Sequence, residues 1–213
     1  MKLYSYFRSS CSYRMRIALN LKGLDYEYLP VNLLQQEQRS PGYLEVNPMG
    51  LVPPLEDSPG QYLGQSVALL EWLEEEHPTP PLLPAQPLAR ARVRSVVNAI
   101  ACDIQPLCNS GVISHLKSEH NTPEAEIKNW FITWMHRGFE AIEQQIAGGS
   151  AFCFGDTPGM ADVFLVPQVY NARRMDVPMD CFAHIMRIAD NCTALPAFAE
   201  AAPELQPDST IKP

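Results

Sequence analysis

The chain has 213 residues, 46% hydrophobic and 19% charged, with a formal net charge of −8. That length can bury a core without metals or disulfides, and the charge disfavours nucleic acid and acidic membranes as main partners. No apolar run approaches the ~18 residues of a membrane span, and the N-terminus lacks the basic-then-apolar pattern of a signal peptide, so the expected location is cytoplasmic.

In chain order, Lys2 to Phe7 alternates and reads as a first strand, followed by a helical pattern from Tyr13 to Lys22 that Gly23 closes. Asp25 to Asn32 reads as a second strand. A polar stretch from Gln35 to Pro41 leads into a short helix ending near Asn47. Leu51 to Glu56 and Gln61 to Leu63 are a third and fourth strand around Ser58-Pro59-Gly60, and Gln65-Ser66 opens a helix with apolar Val67, Leu69, Leu70 and Leu73. The order β-α-β-α-β-β-α predicts a small mixed-sheet α/β domain over residues 1–82.

Five prolines between His77 and Pro87 forbid continuous helix and read as a connection between domains. Strand signals then nearly vanish. Helical patterns run from Leu88 to about Leu116 with a break near Pro106, from Pro123 to Ala147, from Met160 to Met175 with a kink expected at Pro167, and from Cys181 to Cys192. Residues 88–213 are thus expected as one all-helical domain, with an extended tail after Pro203.

Three hydroxyls and a thiol, Ser9, Ser10, Cys11 and Ser12, sit at the first strand-to-helix turn. Free N–H groups and the positive dipole end favour an anion there, and such a turn can hold a thiolate. The plainer alternative is helix capping, which serine favours anyway. Val52-Pro53 is either an ordinary edge proline or a cis bond that turns the Val52 backbone toward a peptide ligand. Ser66 is a natural N-cap, and the same helix start can hold a carboxylate. Lys2, Arg8, Arg14, Arg16 and Lys22 make the first 22 residues locally basic, without one acid. Arg14 and Arg16 are open between solvation, pairing with acids and a ligand role. The six cysteines form no Cys-x-x-Cys pair and no histidine stands at zinc spacing, so no metal site is expected, and the thiols read as reduced and mostly buried. Trp72, Trp130 and Trp134 read as core residues.

These segments resemble the zeta class of glutathione transferases. The resemblance rests on Ser9-Ser10-Cys11-Ser12-Tyr13-Arg14 after the first strand, Asn47 to Leu55 before and into the third, Gln65-Ser66, the proline-rich connection and Gly155 to Gln168. It implies a thioredoxin-like N-terminal domain binding glutathione as cofactor, a helical C-terminal domain completing a substrate pocket, and a homodimer. It implies Ser10 as the hydroxyl supporting the thiolate, with Ser9 and Cys11 as its neighbours in the catalytic turn. Gln38 and Val52 match positions that hold the glycyl and cysteinyl backbone, and Gln65 and Ser66 those that hold the γ-glutamyl end. Gln105, Asn109, Ser110 and Gly111 match further ligand contacts, while Arg8 and Arg174 match basic residues for substrate carboxylates. The chain departs from the family's pattern at Gly159, where Ser or Thr is usual three residues before Asp162.

The implied activity is glutathione-dependent cis–trans isomerisation of a dicarboxylate, maleylacetoacetate to fumarylacetoacetate, in tyrosine and phenylalanine breakdown. The alternatives are maleylpyruvate as substrate, conjugation or dehalogenation by the same thiolate, and a non-catalytic glutathione-fold binding module. Against the last stand the intact Ser9 to Ser12 run, Val52-Pro53 and Gln65-Ser66 in one chain.

Overall fold

The computed structural model describes residues 1–211. They form two compact units, Met1–Leu82 together with the chain from Ala194 onward, and Leu83–Thr193.

The first unit runs β1 (Lys2–Ser5), α1 (Ser10–Leu21), β2 (Glu27–Pro30), α2 (Pro41–Val46), β3 (Leu55–Ser58), β4 (Gln61–Leu63) and α3 (Ser66–Glu76). The sheet order is β2-β1-β3-β4, with β1 parallel to β2 and antiparallel to β3, and β3 antiparallel to β4. This is the mixed sheet expected from the element order, in the thioredoxin-like arrangement that the resemblance implies. The strands are shorter than the apolar runs suggest. The third begins at Leu55 because Pro53 and Pro54 have no N–H to offer the ladder. The first helix begins earlier than its apolar pattern, at Ser10, because Ser9 caps it. Leu3, Phe7, Met15, Ile17, Leu19, Leu55 and Leu69 are fully buried. Each such side chain contributes about 1.5–3 kcal/mol relative to exposure.

Lys22 fastens the far end of this unit. Its buried ammonium donates to Glu74 Oε2 at 2.8 Å, to the His77 carbonyl at 2.6 Å and to the Pro80 carbonyl at 2.9 Å. The Glu74 carboxylate in turn accepts from the Leu82 N–H at 3.0 Å. One cation therefore ties the end of α1 to the end of α3, and the first half of the proline-rich connection is pinned rather than merely spanning.

The second unit holds α4 (Pro87–Asn98), a π-helical turn (Ala99–Ile104), α5 (Ser110–His120), α6 (Glu124–Gln145), α7 (Met160–Arg174) and α8 (Ala183–Thr193). Helix α7 is its axis, buried without interruption from Met160 to Val169 and packed on α4 and α8. Gly159 carries no side chain to cap α7, so only one half of a capping box forms. Asp162 Oδ2 accepts from the Gly159 N–H at 2.8 Å, while Oδ1 accepts from the Cys153 N–H at 2.9 Å. Burial raises the Asp162 carboxyl above its ordinary range, and those two N–H donors oppose the rise. Glu143 of α6 supplies the cap that α8 lacks, accepting from the His184 and Ile185 N–H groups at 2.7 and 2.9 Å.

Three expectations need correction. Residues after Ala194 were expected with the helical half (88–213), but they cluster with the first unit through α9 (Pro196–Ala199), which packs on α1. Trp72, Trp130 and Trp134 are half-buried rather than core. Trp130 donates its indole N–H to the Leu107 carbonyl at 2.8 Å, which satisfies the one polar atom of its half-buried ring. Of the six thiols, only Cys153 and Cys192 are buried.

Gly138 of α6 faces the π-helical turn, where a Cβ would stand 2.3 Å from Ile104 Cδ1. Ile104 is itself fully buried and has no room to yield. Gly138→Ala is therefore expected to destabilise the protein by about 1–3 kcal/mol despite alanine's better helix propensity. Urea denaturation of the two proteins measures this, and an unchanged or raised midpoint would show that the helices part freely.

Candidate active site

At the start of α1 the four polar residues divide their labour. The Ser9 hydroxyl accepts from the Ser12 N–H at 3.2 Å, and the Ser12 hydroxyl accepts from the Tyr6 N–H at 3.4 Å. Both are occupied in shaping the turn. Ser10 is the first helical residue and 9% exposed, and its hydroxyl takes no side-chain hydrogen bond among the described residues. The Ser9 N–H donates to Tyr6 O and the Tyr13 N–H to Ser9 O. Among the described residues the N–H groups of Ser10 and Cys11 thus remain as the unpaired donors of the helix start.

Helix α3 begins in a less comfortable way. Its N-cap residue Gln65 has φ of 66° and ψ of 109° and makes no side-chain cap bond. A side-chain-bearing residue held at such angles costs about 1–3 kcal/mol. The first turn is left with its N–H groups open, next to the Ser66 hydroxyl. Ser66, expected as the N-cap, is instead the first residue of the helix, and its oxygen accepts from Arg14 Nη1 at 3.1 Å.

Arg14 joins the two helix starts. The same Nη1 that donates to Ser66 Oγ lies 3.6 Å from Cys11 Sγ. Arg14 is 1% exposed. Solvation is therefore ruled out for it, and equally for Arg16, which is fully buried with its guanidinium on Ala201 O, Ser5 Oγ and Phe7 O. The sequence signal for Arg14 was present, a basic side chain on a helix that carries no acid, yet nothing local distinguishes it from a solvated face.

A third segment reaches the same region. The Val52–Pro53 peptide is cis, and neither backbone group of Val52 is hydrogen-bonded among the described residues. The loop before it is fixed by the Leu51 carbonyl, which accepts from Tyr43 Oη at 2.7 Å and Asn47 Nδ2 at 2.8 Å. Gln65 Nε2 contacts Met49 Sδ at 3.3 Å, linking this loop to the α3 start. On its other side Gly50 lies against the Gln38 carbonyl, 2.8 Å from where a Cβ would stand. Gln38 Oε1 is buried without a hydrogen-bond partner. Ser9, Ser10, Cys11, Gln38, Val52, Gln65 and Ser66 all belong to the first unit and are connected by these contacts.

The remaining candidates are placed as follows. Arg8 is half-buried with its guanidinium carbon 5.3 Å from the centre of the Phe7 ring. Arg174, in the second unit, is exposed at the last residue of α7, and Arg173 beside it pairs with Asp190 at 3.0 Å. Gln105 closes the π-helical turn with its N–H on Ile100 O. Asn109 caps α5, accepting from the Val112 N–H at 2.9 Å and donating to Pro106 O at 2.8 Å, with Ser110 and Gly111 exposed beyond it. No cluster of three or more metal-binding side chains occurs among the described residues, and no helix there is long and apolar enough to cross a membrane.

A thioredoxin-like unit with an anion-receptive α1 start, a Val-cis-Pro segment and a Gln-Ser helix start, followed by a helical unit, defines a class. The chain belongs to the glutathione S-transferases: residues 3–81 match their N-terminal domain family and residues 130–205 their C-terminal domain family. Within them it falls in the zeta class. It is 45% identical to a maleyl pyruvate isomerase described as a zeta-class bacterial glutathione transferase, solved in holo form, with a TM-score of 0.96 over 99% of this chain and 100% of that one. It is 49% identical to a maleylacetoacetate isomerase of Pseudomonas aeruginosa, over 98% of this chain and 99% of that protein. A maleylacetoacetate isomerase of Methylobacterium extorquens, solved with malonate and glutathione bound, is 34% identical with a TM-score of 0.94, over 99% of this chain and 100% of that one.

The Gln65 backbone separates stability from binding. Gln65→Gly relieves the positive φ and is expected to raise stability by about 1 kcal/mol while weakening glutathione binding through the lost amide. Denaturant midpoints and calorimetric titration read the two effects. Equal glutathione affinity in both proteins would remove the side chain from the binding site.

Proposed function

We propose that this protein is a glutathione-dependent cis–trans isomerase that converts maleylacetoacetate to fumarylacetoacetate, in the cytoplasmic breakdown of tyrosine and phenylalanine. The observation that carries the reading is the joined pair of open helix starts, α1 at Ser10 and α3 at Ser66, bridged by one guanidinium. That pairing suits a ligand with a thiolate at one end and a carboxylate at the other.

The residues fit glutathione. Ser66 Oγ accepts from Arg14, which directs the hydroxyl's own proton outward as a donor to the γ-glutamyl carboxylate. Val52 offers an N–H and a carbonyl to the cysteinyl backbone, as a short added strand would use. The buried, unpartnered Gln38 Oε1 awaits a donor near the glycyl end. When bound, glutathione supplies a thiolate that adds reversibly to the cis double bond of the substrate and so makes it rotatable.

The chain's part is to keep that thiol ionised and to hold the diacid. Lowering a thiol pKa from about 8.5 to about 6.5 raises the thiolate fraction at pH 7 from about 3% to about three-quarters, and needs about 2.7 kcal/mol. The Ser10 hydroxyl, the open N–H groups of Ser10 and Cys11 and the α1 dipole are together of that order. Ser9 keeps the turn in shape, and Cys11 lies beside the thiolate against Arg14. Arg8, next to the turn, and Arg174 are the cations assigned to the substrate carboxylates, since a planar guanidinium donates two parallel bonds to a carboxylate. Gln105, Asn109, Ser110 and Gly111 are assigned as further glutathione contacts.

The protein is also proposed to act as a homodimer. Met49, Leu51 and Leu63 are exposed apolar side chains around one loop and one strand edge, a surface suited to a second copy. Maleylpyruvate is the competing substrate, and assays with both diacids, with and without glutathione, decide between them. Activity that does not depend on glutathione would overturn the reading.

Ser10→Ala is expected to lower turnover by about 10²-fold with little change in stability. Near-normal turnover at pH 7 would move the thiolate donor elsewhere in the turn. Arg8→Ala and Arg174→Ala are expected to raise KM for the diacid and to leave conjugation of an uncharged acceptor nearly unchanged. Equal losses on charged and uncharged substrates would make the two arginines supports of the fold or of the thiolate.

A further inference from the structure

The first unit closes on itself with the end of the chain. Beyond α9, the segment from Ala201 to Asp208 runs back to the catalytic turn. Asn20 Nδ2 donates to Ala197 O at 3.0 Å, and Arg16 Nε to Ala201 O at 2.9 Å. Asp208 then makes two bonds with its two oxygens. Oδ2 accepts from the Phe7 N–H at 3.1 Å, and Oδ1 accepts from Tyr28 Oη at 2.5 Å.

Phe7 is where these bonds matter. The ladder between β1 and β2 ends with the Val31 N–H on Ser5 O. Two residues later Phe7 has left the sheet, yet its backbone groups are buried and need partners. Both partners involve the C-terminal segment. The N–H is taken by Asp208, and the carbonyl accepts from Arg16 Nη2 at 3.0 Å, whose Nε is on Ala201 O. A cavity of ≈ 270 Å³ lined by Tyr6, Phe7, Leu34, Glu37, Asp208 and Thr210 flanks the contact. Phe7 is followed at once by Arg8, which lies over its ring, and by the cap Ser9.

We propose that Asp208 is a positioning residue of the catalytic turn: the C-terminal segment is a strap that fixes Phe7, and through it the direction of Arg8. The proposal rests on the reading of Arg8 as a carboxylate-binding residue. Asp208 acts through the Phe7 backbone rather than on substrate or thiol. It acts by denying the turn an alternative backbone path, and Tyr28 acts on Asp208 by holding its second oxygen.

Three variants of the full chain test this, Asp208→Ala, Asp208→Asn and Tyr28→Phe. Hydrogen exchange of the Phe7 and Arg8 amides is read by mass spectrometry, beside KM and kcat for the diacid and the calorimetric affinity for glutathione. Asp208→Ala is expected to speed exchange at Phe7 about tenfold and to lower kcat/KM for the diacid about tenfold, with glutathione affinity within twofold of the parent. Asp208→Asn keeps an acceptor for the Phe7 N–H and is expected to stay within threefold throughout. Tyr28→Phe frees one oxygen only and is expected to fall between the two. Exchange and kcat/KM both unchanged in Asp208→Ala would overturn the proposal. So would parallel losses of diacid turnover and glutathione affinity, the mark of a general folding role. Should Asp208→Ala fail to fold, the proposal stands or falls on Tyr28→Phe by the same measures. If the parent protein turns over neither diacid, the isomerase reading fails, and the exchange result still decides whether the strap exists.

Discussion

A guanidinium taken out of water must find acceptors where it lands, and α1 takes two of them out together. Arg14 and Arg16 are 1% and 0% exposed on one short helix. Burying such charges without hydrogen bonds would cost several kcal/mol each, so the acceptors they meet become fixed points of the fold. Arg14 fixes the start of α3 at Ser66 against the start of α1 at Cys11. Arg16 fixes the exit of β1 at Phe7 and the returning chain at Ala201. The turn between β1 and α1 is thus held by these two side chains as well as by the buried apolar residues around it. The same logic operates at the other end of α1, where Lys22 is satisfied by one carboxylate and two carbonyls.

The element order was legible because it is written in local patterns. Alternation, helical period, prolines and capping serines are properties of short windows, and they recover β1 to α3 with only the ends displaced. The glutathione-type motifs were legible for the same reason, since Ser9 to Ser12, Val52-Pro53 and Gln65-Ser66 are each contiguous. The roles inside those motifs were not. Ser9 and Ser12 are chemically equal to Ser10 in the sequence, and only their hydrogen bonds to Ser12 N and Tyr6 N set them apart. Arg14 was indistinct because its partner Ser66 lies far along the chain. The tail was misjudged because its three prolines and lack of period say that it is irregular, not where it rests. An irregular segment still packs when buried donors such as Arg16 and the Phe7 N–H call for acceptors.

Net charge also misleads unless it is resolved locally. A chain of net charge −8 is a poor target for a dianion at long range. At physiological ionic strength that field is screened within about 8 Å, so what a substrate meets is the charge within the site. The first 22 residues hold five cations and no acid, but they are not equivalent. Lys2 is paired with Glu56 and Lys22 with Glu74. Arg16 is committed to two carbonyls and a hydroxyl, and Arg14 to the two helix starts. Arg8 alone of the five makes no ion pair or hydrogen bond among the described residues, and its guanidinium lies over the Phe7 ring. An aromatic face orients a guanidinium without neutralising it. The sequence therefore delivers one directed, unpaired charge to the edge of a turn whose neighbouring cations, Arg14 and Arg16, are spent on holding it still.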